Sequence, residues 1–189
     1  MKKWIIPTII ILGIALIIGL WYIGTYNSLV KLNEETNNKW AQVETQYQRR
    51  VDLIPNLVNT VKGASNFEAS TLEEITRLRS AWQNAPTIND KIETANQIES
   101  SISKLLLITE NYPELKATAN YQALQDELAN TENKIAVERG RYNEAVKLFN
   151  VKIKSFPSNI IAKNLGYEQR TYFESKQGAD ISPEVNFGK

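Results

Sequence analysis

The hydrophobic pattern changes character once along this chain, near residue 24. From Trp4 to Ile23 the sequence reads WIIPTIIILGIALIIGLWYI, about twenty residues without a charge, the length that carries a helix across the hydrocarbon layer. Trp4 at one end and Trp21 with Tyr22 at the other stand where amphipathic rings prefer the two interfaces, and Pro7 falls in the first turn, where its missing N–H costs least. The run is longer than the apolar stretch of a usual cleaved signal, and no small-x-small site follows it, so an uncleaved anchor is expected.

Beyond Ile23 the apolar positions become periodic. Leu29, Leu32, Trp40, Val43, Tyr47, Val51 and Ile54 recur mostly three or four apart, one face of a helix that continues out of the membrane. Pro55 leaves the carbonyl of Val51 without its partner, which predicts a kink or an end there. Leu57, Val58 and Val61 resume the face, and a second helix is expected to reach Asn84 through Phe67, Leu72, Ile75, Leu78 and Trp82. Gly63, and the capping-box spacing of Ser65 with Glu68, predict a bend rather than a full turn.

After the turn-rich stretch Asn84 to Asn89, Asp90 with Glu93 can cap a third helix facing inward through Ile92, Ala95, Ile98, Ile102 and Leu105. It should end near Asn111, because Tyr112 precedes Pro113. The fourth helix has the clearest pattern: Tyr121, Leu128, Ile135, Tyr142, Phe149 and Phe156 recur every seventh residue, with Leu124, Ala145 and later Ile153 beside them. Ser158 can cap a short helix through Asn164, closed by Gly166 in left-handed geometry. Tyr167, Tyr172 and Phe173 are expected to pack back on the bundle as far as about Glu174. The expected fold is therefore all-α: a transmembrane helix continuing into an antiparallel bundle of about four long helices. Residues 1–24 form the anchor, 25–176 the bundle domain and 177–189 a loose tail.

Composition narrows the chemistry. With 42% hydrophobic and 23% charged residues the part outside the membrane can bury a core. Twenty-two Lys and Arg against 21 Asp and Glu leave a net charge of +1 without a concentrated basic stripe, so nucleic acid is not an expected partner. The absence of cysteine and histidine removes disulfides, thiol nucleophiles, cysteine-ligated metals and imidazole bases. Lys2 and Lys3 precede the span, whereas Lys31 and Lys39 follow it beside Glu34 and Glu35. The bias places the N-terminus in the cytoplasm and the bundle outside. Two positions in the seam of the fourth helix, Thr131 and Glu138, are polar; Glu138 is expected to meet a cation of a neighbouring helix or to lie at an open edge. Di-metal bundles fill such layers with Glu-x-x-His, which is not available here.

The segments YNSLVKLNEETNNKWAQVETQYQRRVDLIPNLVNTVKG (Tyr26 to Gly63), ENYPELKA (Glu110 to Ala117), LQDELANTENKIAVERGRYNEAVKLFNVKIKSFP (Leu124 to Pro157) and GYEQRTYFE (Gly166 to Glu174) resemble the LemA family of bacterial membrane proteins. The likeness covers nearly the whole chain, and QRR-x-DLIPNLV together with TEN-x-IA followed by YN is specific. Gly140 departs from it, standing where a better helix former is common. The resemblance implies a membrane-anchored helical bundle without an established enzymatic activity, and some relatives are linked to building internal membrane compartments. The family motif falls on Gln48, Arg49, Arg50, Asp52, Leu53, Ile54, Pro55 and Asn56, and on Thr131, Glu132, Asn133, Tyr142 and Asn143, carried over as structural or interaction residues.

Arg49, Arg50 and Asp52 adjoin Pro55, where freed carbonyls want donors, and a bridge from them to Glu132 and Asn133 would pin the first helix to the fourth. Two function classes follow. In the first the chain is a non-enzymatic scaffold or adaptor in the bacterial inner membrane, binding the bilayer and either a protein partner or itself. Ala15 and Gly19, four apart in the span, would let two anchors approach closely. In the second, acidic residues of the bundle bind a ligand or metal, which requires an enclosed site with convergent carboxylates. No cofactor and no small-molecule substrate is indicated.

Overall fold

A helix that leaves the membrane as the wall of a bundle must exchange an apolar surface all round for an apolar stripe. The first helix does so without a break. The structure, a computed structural model, describes residues 4–62 and 69–173, and α1 runs from Ile5 to Lys62, 58 residues and about 87 Å at 1.5 Å per residue. Its first turns touch nothing else in the chain, and every side chain of the apolar run is exposed, as a lipid-facing span requires. From Thr25 onward one side is buried, through Leu29, Thr36, Trp40, Val43 and Tyr47 to Val61. The chain is a membrane-associated helical protein whose bundle begins where the apolar run of its first helix ends.

Five further helices follow among the described residues, with no strand: α2 (Ala69–Gln83), α3 (Ile88–Thr109), α4 (Pro113–Lys116), α5 (Ala119–Lys154) and α6 (Ser158–Asn164). Helix α5 returns along α1: Thr36 donates to the carbonyl of Ala145, Trp40 meets Tyr142 edge-on, and Arg50 pairs with Glu132. Each step up α1 is thus matched by an equal step down α5. Helix α2 turns back beside α1, since Trp82 near its end packs on Tyr47, and α3 runs up again, with Lys91 paired to Glu44 and Glu99 bonded to Tyr47. The four long helices alternate in direction around one core of side chains such as Leu57, Ile75, Ile98 and Ile135. A second, smaller cluster at the membrane end joins Leu29, Phe149, Ile153, Ile161 and Ala162.

Several local expectations are corrected. Helix α1 neither ends at Pro55 nor rotates its buried face there: Val51, Ile54, Leu57, Val58 and Val61 stay inside while the proline ring is exposed. The bond lost at Val51 is outweighed by packing on both sides. Helix α1 ends at Lys62, and the bend expected around Gly63 and Ser65, with Phe67 and Glu68, lies outside the described residues, as do Lys2, Lys3 and the tail from Glu174. Thr87, not Asp90, caps α3; it is extended after Pro86, and its Oγ1 accepts from the N–H of Asp90. Pro113 starts the one-turn helix α4. Ser158 stands inside α6 and caps the end of α5 instead, donating to the carbonyls of Lys152 and Ser155. Gly166 does close α6, at φ +68°, with the Tyr167 N–H reaching back to Ala162.

The seven-residue repeat of α5 is internal as far as Phe149 and is covered by α1 of the same chain. Phe156, its last member, falls beyond the helix end and is exposed. We predict that Ile135→Ala, which empties a fully buried site, costs about 2–5 kcal/mol in denaturant unfolding of the detergent-solubilised chain. Lys134→Ala, at the exposed neighbouring position, should change stability by less than about 0.5 kcal/mol. Equal losses would remove α5 from the core.

Candidate functional site

Three helices bring charge into the middle of the bundle. Glu99 of α3 sits at a core position between Ala95 and Ile102 and is 3% exposed. A carboxylate there is tolerated only if donors surround it. Tyr47 of α1 donates its hydroxyl at 3.0 Å, Arg139 of α5 approaches at 3.1 Å and Arg50 of α1 at 3.7 Å, all on one carboxylate oxygen. Arg50, itself buried, turns its other terminal nitrogen to Glu132 at 2.6 Å, and Arg139 donates further to Asn96 at 2.9 Å. Two arginines thus face two glutamates, and the cluster is neutral. Burial, with the negative charge of Glu99 beside it, pushes the Tyr47 hydroxyl far above the ordinary tyrosine range and keeps it a donor. The pairing is uneven: Arg50 Nε and Nη1 and Arg139 Nε have no hydrogen-bond acceptor among the described residues.

An aromatic shell closes the cluster on one side. The guanidinium of Arg139 lies 4.6 Å from the ring centre of Phe173 and 5.4 Å from that of Tyr47, and Trp40 and Tyr142 pack on Phe173 in turn. Phe173 reaches this place through a non-helical strap, residues 165–173, that α5 grips with two side-chain amides. Asn143 donates to the carbonyl of Phe173 and accepts from its N–H; Asn150, seven residues on, does the same with Arg170, every distance being 2.9 Å. Tyr142 adds a bond to the carbonyl of Thr171, and Arg170 reaches Asn33 and Asn37 on α1. Asparagine amides stand here for the backbone partners that an extended segment on a helix cannot otherwise find. Tyr167 packs on Phe149 as expected, whereas Tyr172 is largely exposed.

The sequence motifs divide cleanly in space. Arg50 and Glu132 form the expected bridge, and Thr131, Tyr142 and Asn143 belong to the interior or to the strap's grip. Arg50 serves carboxylates, not the carbonyls freed by Pro55. Arg49, Asp52, Pro55, Asn56 and Asn133 face solvent, and Asp52 accepts from Gln48 on its own helix. Glu138 pairs with Arg141 one turn on rather than with a neighbouring helix, and its second oxygen has no hydrogen-bond partner among the described residues. Sequence reasoning missed Glu99, Arg139, Asn150 and Arg170; the available signal was a glutamate on the apolar stripe of α3 and a pair of asparagines seven apart on α5. A cleft of about 500 Å³ beside the strap is open to solvent and has one carboxylate, Glu168, in its wall. Among the described residues no three Asp or Glu side chains converge as metal ligands.

The LemA family's sequence profile matches residues 39–187, a stretch that contains every residue of the cluster and the α5 side chains that grip the strap. This chain belongs to the LemA family. A chain called Protein LemA from Metamycoplasma hominis is 29% identical over 171 positions, 88% of this chain and 78% of that relative. Magnetosome protein MamQ 2 of Paramagnetospirillum magneticum is 24% identical over 189 positions, 85% of this chain and 70% of that one. Magnetosome protein MamQ of Magnetospirillum gryphiswaldense is 24% identical over 213 positions, 95% and 78% respectively. In LemA terms, both halves of the recognisable motif, QRR-x-D on α1 and TEN on α5, meet at the ionic bridge.

If the buried carboxylate holds the three helices together, Glu99→Ala leaves Arg50 and Arg139 side by side without it and should cost about 3–5 kcal/mol in denaturant unfolding of the chain in detergent. Glu132→Ala removes a carboxylate that water reaches, and should cost clearly less. The reverse order would place the weight of the cluster on the α1–α5 bridge alone.

Proposed function

We propose that this LemA-family chain is a single-pass, membrane-anchored scaffold or adaptor without enzymatic activity, in the bacterial inner membrane with its bundle on the extracytoplasmic side. The observation that carries the reading is the division of the motif. Its inward residues are neutralised inside the core, where Arg50 is spent on Glu99 and Glu132. Its outward residues, Arg49, Asp52 and Asn56, fall three and four apart on one exposed face of α1 and, among the described residues, make no bond to another helix. A polar face without a task in the fold is a surface for another protein. Helix α1 carries that face on the same unbroken rod as the anchor, so its height above the bilayer is fixed. Relatives named magnetosome proteins fit a role in organising other components. The alternative reading, a ligand or metal held by acidic residues, finds less support, since the acidic groups in the core are already paired with arginine.

A photo-crosslinking residue at Gln48, beside this face, should trap a defined partner in native membranes, and the combination Arg49→Ala with Asp52→Ala and Asn56→Ala should abolish the adduct while leaving the melting temperature in place. An adduct unchanged by these substitutions would remove the face from the function.

Sidedness has its own measurement. The chain has no native cysteine, so Pro86→Cys in the exposed α2–α3 connection should react with an impermeant thiol reagent in spheroplasts. Protection until lysis would put the bundle in the cytoplasm.

A further inference from the structure

The antiparallel register of α1 and α5 has a consequence at the foot of the bundle. Leu29 packs with Ile153 and Ile161, and below them Trp21 and Thr25 share an open groove of about 400 Å³ with Phe156, Pro157 and Ser158. The α5–α6 corner therefore stands at the height where the apolar run of α1 ends. From Trp21 to Thr25 the helix rises about 6 Å, close to the depth of one headgroup layer. At this height Phe156, in the turn before α6, is 81% exposed, and on α6 Ile160 is 56% exposed, with Lys163, three residues on, exposed as well. Large apolar side chains this open are costly in water; Phe156 shares its groove with Trp21, and the rings of Trp21, Tyr22 and Tyr26 are also exposed on this part of α1.

Charge points the same way. Between Glu144 and Glu168 the chain carries Lys147, Lys152, Lys154 and Lys163 and no acidic residue. On the facing part of α1, from Trp21 to Asn33, the one charge is Lys31. Among the described residues the foot of the bundle carries only cations around an apolar tip, whereas the bundle above it mixes both signs. Apolar tips with lysines behind them, whose stems reach past apolar surface to the phosphates, are the chemistry of an interfacial membrane contact with anionic lipid.

We propose that the α5–α6 corner is a second membrane contact of this chain: Phe156 and Ile160 enter the headgroup layer of the leaflet from which α1 emerges, and Lys152, Lys154 and Lys163 meet anionic lipid phosphates. The contact deepens the anchored reading above and rests on α1 spanning the bilayer. It adds a second attachment point beside the anchor, so the bundle is held at one tilt and one rotation about α1 instead of turning freely on its stalk.

The full chain, reconstituted in vesicles of phosphatidylcholine and phosphatidylglycerol doped with a headgroup-proximal or a mid-chain spin-labelled lipid, carries the test. A polarity-sensitive dye is placed in turn on Ile14→Cys in the span, Asn159→Cys beside the corner and Asn130→Cys, which lies level with Asp52 far up the bundle. The label at 14 should be quenched by the mid-chain probe. The label at 159 should be blue-shifted and quenched by the headgroup probe several-fold more than the label at 130, and Phe156→Ser together with Lys152→Gln, Lys154→Gln and Lys163→Gln should bring it down to the level of 130. Quenching at 14 with 159 no different from 130 overturns the lipid contact while the anchor stands, as does full quenching at 159 in the substituted chain. A label at 159 that is blue-shifted but unquenched, and that loses the shift when protein per vesicle is lowered, assigns the corner to a second copy of the chain and also overturns it. No quenching at 14 removes the anchor and this contact with it.

Discussion

Everything in this molecule hangs on α1 having to satisfy two solvents as one uninterrupted helix. In lipid each backbone group must find its partner within the segment, which a helix alone provides for a single span. In water the same helix is stable because one face is buried, and α1 presents that face continuously from Thr25 to Val61. The continuity explains why Pro55 is tolerated. A break there would separate the outer turns, with Leu57, Val58 and Val61 fully engaged in the core, from the rod that carries them. The missing hydrogen bond costs about 3 kcal/mol at most positions of this kind, less than the burial of those three side chains provides.

Given that rod, the ionic cluster decides which helices may lie against it. An apolar seam accepts many registers; a buried carboxylate with three donors accepts very few. Glu99 draws Tyr47 and Arg50 from α1 and Arg139 from α5 to one oxygen, so a one-turn slip of α3 would leave a charge without its partners. The aromatic strap then seals Arg139 beneath Phe173, and the amides of Asn143 and Asn150 hold the strap in turn. Charge, ring and amide form one dependency running from α3 through α1 and α5 to residue 173. Such a chain of paired groups contributes less to net stability than to the uniqueness of the packing.

What was legible beforehand follows the range of each interaction. The span, the stripe of α1 and the repeat of α5 are written in consecutive turns, so counting positions finds them. The bridge from Arg50 to Glu132 was also expected, because both lie beside recognisable motifs on the two longest helices. The role of Glu99 was not, since its donors come from positions 47, 50 and 139, and local sequence shows only a glutamate out of place on an apolar stripe. Thr87 takes the cap because its own backbone is extended and its Oγ1 reaches the N–H of Asp90, which itself stands inside the first turn. Phe156 continued the seven-residue count of α5 on paper, but a repeat in letters does not know where the helix stops, and Lys154 is its last residue.

That misassigned phenylalanine shows how the two ends of the molecule differ. Within α5 the repeat places rings against α1, where Tyr142 and Phe149 are fully buried; one step further the partner surface on α1 is no longer a stripe but the margin of the membrane span. An apolar side chain at that step is left uncovered by the described residues, and the same pattern that builds the core higher up becomes a pattern facing lipid. The lysines gather there for the corresponding reason. Higher in the bundle a cation needs a carboxylate, as Arg50 and Arg139 have, whereas at the foot the bilayer's own phosphates are close enough to serve, and the acidic residues that would compete with them are absent from Lys147 to Gly166. A bundle standing on its membrane therefore sets its buried stripes and buried charges against protein above Leu29, and its apolar tip and lysines against lipid below it.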